Sequence, residues 1–308
     1  MTVYIIMAAV TAAAGFFLFA FLLKRKGQRP SLALKAFPLC VVLGFLCAKI
    51  MYEVLMRAEY FLVWGEWDVF LDLRPRRMSF VCGACGVVLG TAAAARLSRM
   101  NVRDVLDCFA APGALLIAGF RFAERELGKL GAGSLTEGAG IFSRPPFAVL
   151  DDYGDYYTAI FFWEAVIALF IMAYALKMNE KRRGIRFSKT VFALCLCQIL
   201  LENMRSQSMR WGFVCVEQVL CAVIMFILVL LPCLRNKNKN GRLLPAAGFL
   251  MGAGDVVGAE LARQKTGVLF LAKYGYGLMI LALAGMAVMY RAALKGYSSS
   301  GQESSKGV

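Results

Sequence analysis

Nine long apolar runs constrain the fold of this chain more than any other feature. They cover residues 3–23, 33–56, 79–96, 104–120, 156–177, 188–203, 212–234, 243–259 and 267–290. An α-helix needs about 20 predominantly apolar residues to cross a hydrocarbon core roughly 30 Å thick, and most of these runs approach or exceed that length. With 60% apolar residues overall, the sequence predicts an all-α, polytopic integral membrane helical bundle with about nine transmembrane helices.

The basic residues predict the orientation of these helices. With the N-terminus outside, the inner segments hold 21 of the 35 lysines and arginines. The long outer segment 121–155 instead has four basic residues against six acidic ones. Because inner loops of membrane proteins are enriched in Lys and Arg, we expect the N-terminus outside and the C-terminus inside. Attraction to anionic lipid then accounts for the net charge of +15 without nucleic-acid binding.

The composition also excludes several reaction classes. The chain has no histidine, so serine–histidine hydrolysis, histidine-ligated zinc or haem, and an imidazole general base are excluded. The ten cysteines lie in predicted spans, and for eight of them this explains the residue, because a thiol there behaves as a small apolar group. Cys82 and Cys85 form a C-x-x-C, but their glycine- and alanine-rich surroundings favour close helix packing over a metal or redox site. We therefore expect no metal and no cofactor.

A polar stripe ends the sixth apolar run. Gln198, Glu202 and Arg205 are spaced by four and three residues, which places them on one helical face. Ionised groups at membrane depth cost about 2.5–3.5 kcal/mol each on insertion scales, so the stripe is expected to line a polar cavity or to pair internally. The alternative is a solvated ion pair at a helix end, worth about 0–1 kcal/mol.

The segment 121–155 holds the second concentration of charge. Within its first six residues it presents Arg121, Glu124, Arg125 and Glu126. This group leaves the membrane on the same predicted side as Glu202 and Arg205. Either the two sets of residues form one joint site, or the loop residues belong to an ordinary charged surface.

Other polar residues lie inside the apolar runs. Glu164 and Asp255 must face protein or water at that depth, and an interhelical hydrogen bond is favoured over catalysis or transport for both. Lys49, followed by Tyr52 and Glu53, either extends towards the membrane surface or binds a lipid headgroup.

Five segments in the same order resemble motifs of the bacterial prolipoprotein diacylglyceryl transferases. Residues 78–83 resemble the family's Ser-Phe-His-Gly-Gly, 107–113 its Asp-x-x-Ala-Pro, and 121–126 its Gly-Arg-x-Gly-Asn-Phe-x-Asn-Gly-Glu. Pro145 and Pro146 fall at its His-Pro-Ser-x-Leu-Tyr-Glu. Leu194, Gln198, Glu202 and Arg205 lie on its Tyr-x-x-x-Arg-x-x-x-Glu-x-x-Arg. Val81, Leu194 and Gln198 thus stand where the family has histidine, tyrosine and arginine.

The resemblance implies an organisation and a reaction. Residues 1–234 would form a seven-span transferase-like core. Beyond the resemblance, the last two apolar runs predict two additional C-terminal transmembrane helices in 235–296, and the serine-rich residues 297–308 predict a disordered cytoplasmic tail. The implied reaction, in lipoprotein biosynthesis in the bacterial cytoplasmic membrane, moves a diacylglyceryl group from phosphatidylglycerol or a related phospholipid to a cysteine. That cysteine belongs to the signal peptide of a precursor lipoprotein. No cofactor is implied.

Such a reaction needs an anion clamp and help in forming a thiolate. Candidates for binding the phosphate are Arg121, Arg125, Arg205 and Arg210, because guanidinium groups match phosphate oxygens. Candidates for accepting the thiol proton, or for holding an arginine in place, are Glu124, Glu126 and Glu202. Two alternative functions stay open: a catalytically impaired relative that binds phospholipid or lipoprotein, and a small-solute transporter.

Overall fold

The computed structural model describes residues 2–65, 67–72, 74–136, 143–150, 153–180, 182–211, 214–236, 239–265 and 269–303. Helices dominate this part of the chain. They are α1 (Thr2–Arg25), α2 (Ser31–Met56), α3 (Ala58–Leu62), α4 (Phe80–Leu97), α5 (Val102–Ala123), α6 (Ile160–Lys177), α7 (Ile185–Glu202), α8 (Val216–Arg235), α9 (Lys239–Lys265) and α10 (Leu269–Glu303). Every predicted apolar run therefore overlaps a helix.

Seven of the described helices are long and apolar enough to cross a membrane, so the chain is a multi-pass membrane protein. They lie at Thr2–Arg25, Ser31–Met56, Phe80–Leu97, Val102–Gly128, Ile160–Lys177, Val216–Leu234 and Tyr274–Lys295. The predicted count of nine is not confirmed, because α7 and α9 fall outside this group. Charged residues interrupt the apolar sequence of both helices: Arg186, Lys189 and Glu202 in α7, and Asp255 and Glu260 in α9. The orientation of the termini stays a prediction.

One compact unit contains Met1–Cys197 and Leu201–Met209. In it, α2 and α4 pack with their backbones in close contact. A Cβ added at Gly86 would lie 2.3 Å from the Leu43 carbonyl oxygen, and one at Gly90 would lie 2.7 Å from the Cys40 nitrogen. Only glycine fits at such a distance. The small residues around Cys82 and Cys85 therefore serve helix packing, as the sequence predicts.

A buried aspartate joins α5 to α7 within this unit. The Asp107 carboxylate accepts backbone hydrogen bonds from Gly184 at 2.6 Å and from Phe187 at 2.8 Å. These amides belong to the first turn of α7, where backbone donors have no partner within the helix. Gly184 adopts the left-handed conformation with φ of 85° as the chain enters the helix. Asp107 therefore fixes the start of α7 against α5 and, through the rigid helix, helps to place its far end.

Short strands order part of the segment between α5 and α6. The 3-10 turns η1 (Trp67–Leu71) and η2 (Pro75–Arg77) lie between α3 and α4, and a further one, η3 (Glu124–Gly131), follows α5. Strands β1 (Ala148–Leu150) and β2 (Tyr156–Thr158) pair antiparallel before α6. Gly133 donates to the Thr158 carbonyl at 2.7 Å, which adds the preceding chain to this hairpin. The Ser206 amide and hydroxyl both donate to the Ala132 carbonyl at 3.0 Å. This contact ties the chain after α7 to the segment after η3.

A second compact unit contains Gln198–Leu200 and Arg210–Val308. Two short strands, β3 (Arg210–Trp211) and β4 (Val214–Cys215), pair ahead of α8. In this unit α8, α9 and α10 pack on one another, so α8 groups with the helices predicted to be additional to the core. Helix α10 ends at Glu303, which makes residues 297–303 of the predicted tail helical; residues 304–308 lie outside the described part.

Candidate functional site

Arg121 is a buried cation at the end of an apolar helix. It lies in the last turn of α5 and is only 1% exposed. Its Nη1 donates to Glu124 Oε1 at 2.7 Å, a contact that the spacing of three residues on a helix permits. Its Cζ lies 3.7 Å from the centroid of the Phe80 ring at the start of α4. The ring and the carboxylate together hold the guanidinium in one orientation.

Arg205 reaches the same place from the turn that follows α7. Its Nη2 donates to Glu124 Oε2 and lies 3.5 Å from Glu164 Oε2, while its Nη1 lies 3.9 Å from Glu202 Oε2. Burial lowers the pKa of Arg205, but the charges of these carboxylates outweigh it and raise the pKa above its usual value. Arg205 is thus a permanent cation in this structure.

Two carboxylates each touch both arginines. Glu124 uses one oxygen for Arg121 and the other for Arg205. Glu164 of α6 places Oε2 3.3 Å from Arg121 Nε and 3.5 Å from Arg205 Nη2. We call Arg121, Glu124, Glu164, Glu202 and Arg205 the Arg-Glu cluster; each is between 1% and 8% exposed. The cluster joins α5, η3, α6 and the end of α7.

The cluster brings together the two polar segments identified in the sequence. Arg121 and Glu124 from the first meet Glu202 and Arg205 from the second, although 81 residues separate Glu124 from Arg205. These contacts are buried, so for these residues the alternatives of a charged surface and a solvated helix-end pair are wrong. Their chemical roles stay predictions.

Three other predicted site residues are not members of the Arg-Glu cluster. Arg125 and Glu126 belong to η3, but both side chains are exposed on its surface. Arg210 is part of the second unit, where it begins β3 opposite Cys215. Their assignments as phosphate ligands or proton acceptor stay predictions.

Sequence reasoning missed one member of the site. For Glu164 the sequence favours an interhelical hydrogen bond, and the residue does make an interhelical contact with Arg121, but its place beside both arginines was not predicted. The signal was present, because a lone carboxylate inside an apolar helix marks a polar partner at that depth.

Two guanidinium donors in the cluster remain available for a ligand. Arg121 Nη2 and Arg205 Nε are buried and have no hydrogen-bond acceptor among the described residues. A buried N–H without an acceptor costs about 1–3 kcal/mol, and more for a charged group. A phosphate or carbonyl oxygen from outside the chain that reached either nitrogen would supply its missing acceptor. Because three carboxylates outnumber two guanidiniums in the cluster, these donors without acceptors, and not a net positive charge, are what an anionic or strongly polar group would bind.

Comparison of the chain with known protein families gives a match that includes the residues of the Arg-Glu cluster. The sequence model of the prolipoprotein diacylglyceryl transferase family matches residues 1–234. The match covers most of the chain, from α1 to nearly the end of α8, and includes all members of the Arg-Glu cluster. No curated protein matches the chain significantly.

Proposed function

The chain belongs to the prolipoprotein diacylglyceryl transferase family, and from this premise we propose that it transfers a diacylglyceryl group from a glycerophospholipid to a lipoprotein cysteine. The observation that carries the proposal is the buried pair Arg121 and Arg205. Both are held by Glu124, and each keeps one N–H without an acceptor among the described residues. A phospholipid phosphate supplies oxygens of the right charge for those donors. The membrane would be the bacterial cytoplasmic membrane.

The arginines act on the leaving group in this proposal. The cysteine sulfur attacks the glycerol carbon that carries the phosphate, a C–S bond forms, and the C–O bond to phosphate breaks. With phosphatidylglycerol as donor, glycerol phosphate leaves, and its negative charge grows from one to two as the bond breaks. Fixed guanidinium groups at Arg121 and Arg205 stabilise that developing charge more than the charge of the bound lipid.

The carboxylates divide into two roles. Glu124 engages both guanidiniums directly, so we assign it to positioning the clamp. Glu164 and Glu202 approach the arginines at longer distances, between 3.3 and 3.9 Å, and one of them accepts the thiol proton. A free thiol has a pKa of about 8.5, so a positioned base increases the fraction of thiolate at neutral pH.

A second candidate function is phospholipid or lipoprotein binding without transfer. Val81 stands where the motif of the family has histidine, and it follows Phe80, whose ring stacks on Arg121. A valine cannot carry a proton. If the lost histidine was indispensable, the arginine clamp would still bind phospholipid, and the chain would be a catalytically impaired relative.

A transfer assay on the purified protein tests both candidates. The full chain in nanodiscs receives radiolabelled phosphatidylglycerol and a peptide with a lipoprotein signal sequence, and labelled peptide is counted. We expect transfer by the wild type, loss in Arg205→Gln, and no change in Arg144→Gln, whose side chain is exposed. Lipid binding without transfer would favour the second candidate. Neither binding nor transfer would overturn both.

A further inference from the structure

The segment between α2 and α4 exposes a cluster of large apolar side chains. They are Leu62, Val63, Trp64, Trp67 and Leu71, each between 64% and 79% exposed. The segment lies outside the seven membrane-spanning helices, yet both of its neighbours, α2 and α4, belong to them. Contiguous exposed apolar groups mark an interaction surface. At this position in the chain, the membrane itself is the nearest apolar partner.

The segment has a defined local structure. Helix α3 ends at Leu62, and 3-10 turns follow at Trp67–Leu71 and Pro75–Arg77. Val69 is 5% exposed and anchors the first turn inward, while the Trp67 ring stacks on Phe70 with centroids 6.2 Å apart. These two contacts order the turn that carries Trp67 and Leu71.

A basic group follows the apolar one. Asp72 Oδ2 lies 2.5 Å from Arg77 Nη1, and Asp72 Oδ1 lies 3.4 Å from Arg74 Nε and accepts the Arg74 amide at 3.1 Å. One carboxylate thus contacts two guanidiniums, so these three groups carry a net positive charge. The Arg74 side chain is 75% exposed. The exposed acids Glu59 and Asp68 lie earlier in the segment, so its basic end is the one next to α4.

We propose that residues 62–77 lie flat in the interface of the adjoining lipid leaflet and bind phospholipid there. The five apolar side chains would reach the upper acyl chains, and Arg74 and Arg77 would bind lipid phosphate groups. Tryptophan is enriched at this depth of a bilayer, and guanidinium groups suit phosphate oxygens. The surface includes no member of the Arg-Glu cluster, so the proposal does not depend on transferase activity.

Fluorescence quenching measures the depth of the two tryptophans. The chain has four tryptophans, and Trp163→Phe with Trp211→Phe leaves Trp64 and Trp67 as the only ones. In nanodiscs, we expect lipids brominated near the carbonyl end of the acyl chain to quench this emission, and aqueous acrylamide to quench it weakly. Strong acrylamide quenching without quenching by brominated lipid would overturn the proposal. Stronger quenching by lipids brominated at the chain end would also overturn it.

The arginines are tested in the same background. In detergent micelles, we expect the Arg74→Gln, Arg77→Gln double variant to raise the half-saturating concentration of brominated phosphatidylglycerol about tenfold. Arg144→Gln, another exposed arginine of a connecting segment, serves as the matched control and is expected to leave it unchanged. Arg74→Gln alone repeats the test if the double variant folds poorly. If the half-saturating lipid concentration were unchanged in the double variant, or rose equally in Arg144→Gln, phosphate binding by Arg74 and Arg77 would be overturned.

Discussion

Arg121 of α5 and Glu164 of α6 face each other across 3.3 Å, and neither is more than 4% exposed. This pair connects two membrane-spanning helices at the end where Arg205 follows α7. Near the start of α7, Asp107 attaches it to α5. The positions of both arginines are therefore fixed by contacts with the helices, in addition to those within the cluster.

The burial of Arg205 predicts a stability effect that a solvated ion pair would not have. Arg205→Gln removes a cation that contacts Glu124, Glu164 and Glu202. Breaking a buried pair on one side typically costs about 3–5 kcal/mol, because the remaining charge is left uncompensated. We expect a loss of this order in the free energy of unfolding, measured by denaturation in detergent. A loss below about 1 kcal/mol would show that water screens these charges in solution.

Arg205→Lys separates charge from geometry at the same position. The ammonium keeps the positive charge but cannot contact several carboxylates and a phosphate at fixed angles, as a guanidinium does. We expect most of the stability to be retained and the affinity for phosphatidylglycerol to fall at least tenfold, as measured by equilibrium lipid binding. Wild-type affinity in the lysine variant would show that charge alone binds the lipid.

Glu124 and Glu126 form a matched pair of tests for the same turn. Glu124 contacts both arginines, whereas Glu126 is exposed two residues later. We expect Glu124→Gln to lower the free energy of unfolding by about 3 kcal/mol or more, and Glu126→Gln to change it by less than about 0.5 kcal/mol. Thermal denaturation of both variants in one detergent provides the comparison. Equal effects would contradict the bridging geometry.

Asp107 is predicted to control the start of α7. Asp107→Ala removes the acceptor for the Gly184 and Phe187 amides, and losing a helix cap costs about 0.5–2 kcal/mol. We expect faster hydrogen exchange at those two amides. The control is Asp104→Ala, since Asp104 pairs with Arg183, which is 66% exposed, and such pairs contribute about 0–1 kcal/mol. Unchanged exchange in the Asp107 variant would show that other contacts hold the first turn.

The sequence predicts the helices well because apolar length is a local property. It also offers, as one of two alternatives, a joint site of Arg121 and Glu124 with Arg205, since helical spacing and the shared predicted exit side reduce the possible arrangements. Glu164 could not be joined to them, because its contacts depend on how α6 rotates against α5. The predicted count of nine membrane-spanning helices is not confirmed, because α7 and α9 have apolar stretches but also carry charged residues that keep them out of the group apolar enough to cross a membrane.

Genetic complementation tests catalysis in a chain that lacks the histidine of the family motif. General-base assistance is typically worth about 10²–10⁴ in rate, so its loss alone would leave a slow enzyme if the Arg121 and Arg205 clamp is intact. We expect the gene to restore growth weakly or not at all in a bacterium depleted of its own diacylglyceryl transferase. Full restoration would show that the Arg-Glu cluster suffices without histidine, with Glu164 or Glu202 as proton acceptor. If the gene fails to restore growth but the protein still binds phosphatidylglycerol, the chain is a binding protein. Binding needs only the two guanidiniums, whereas transfer also needs the base.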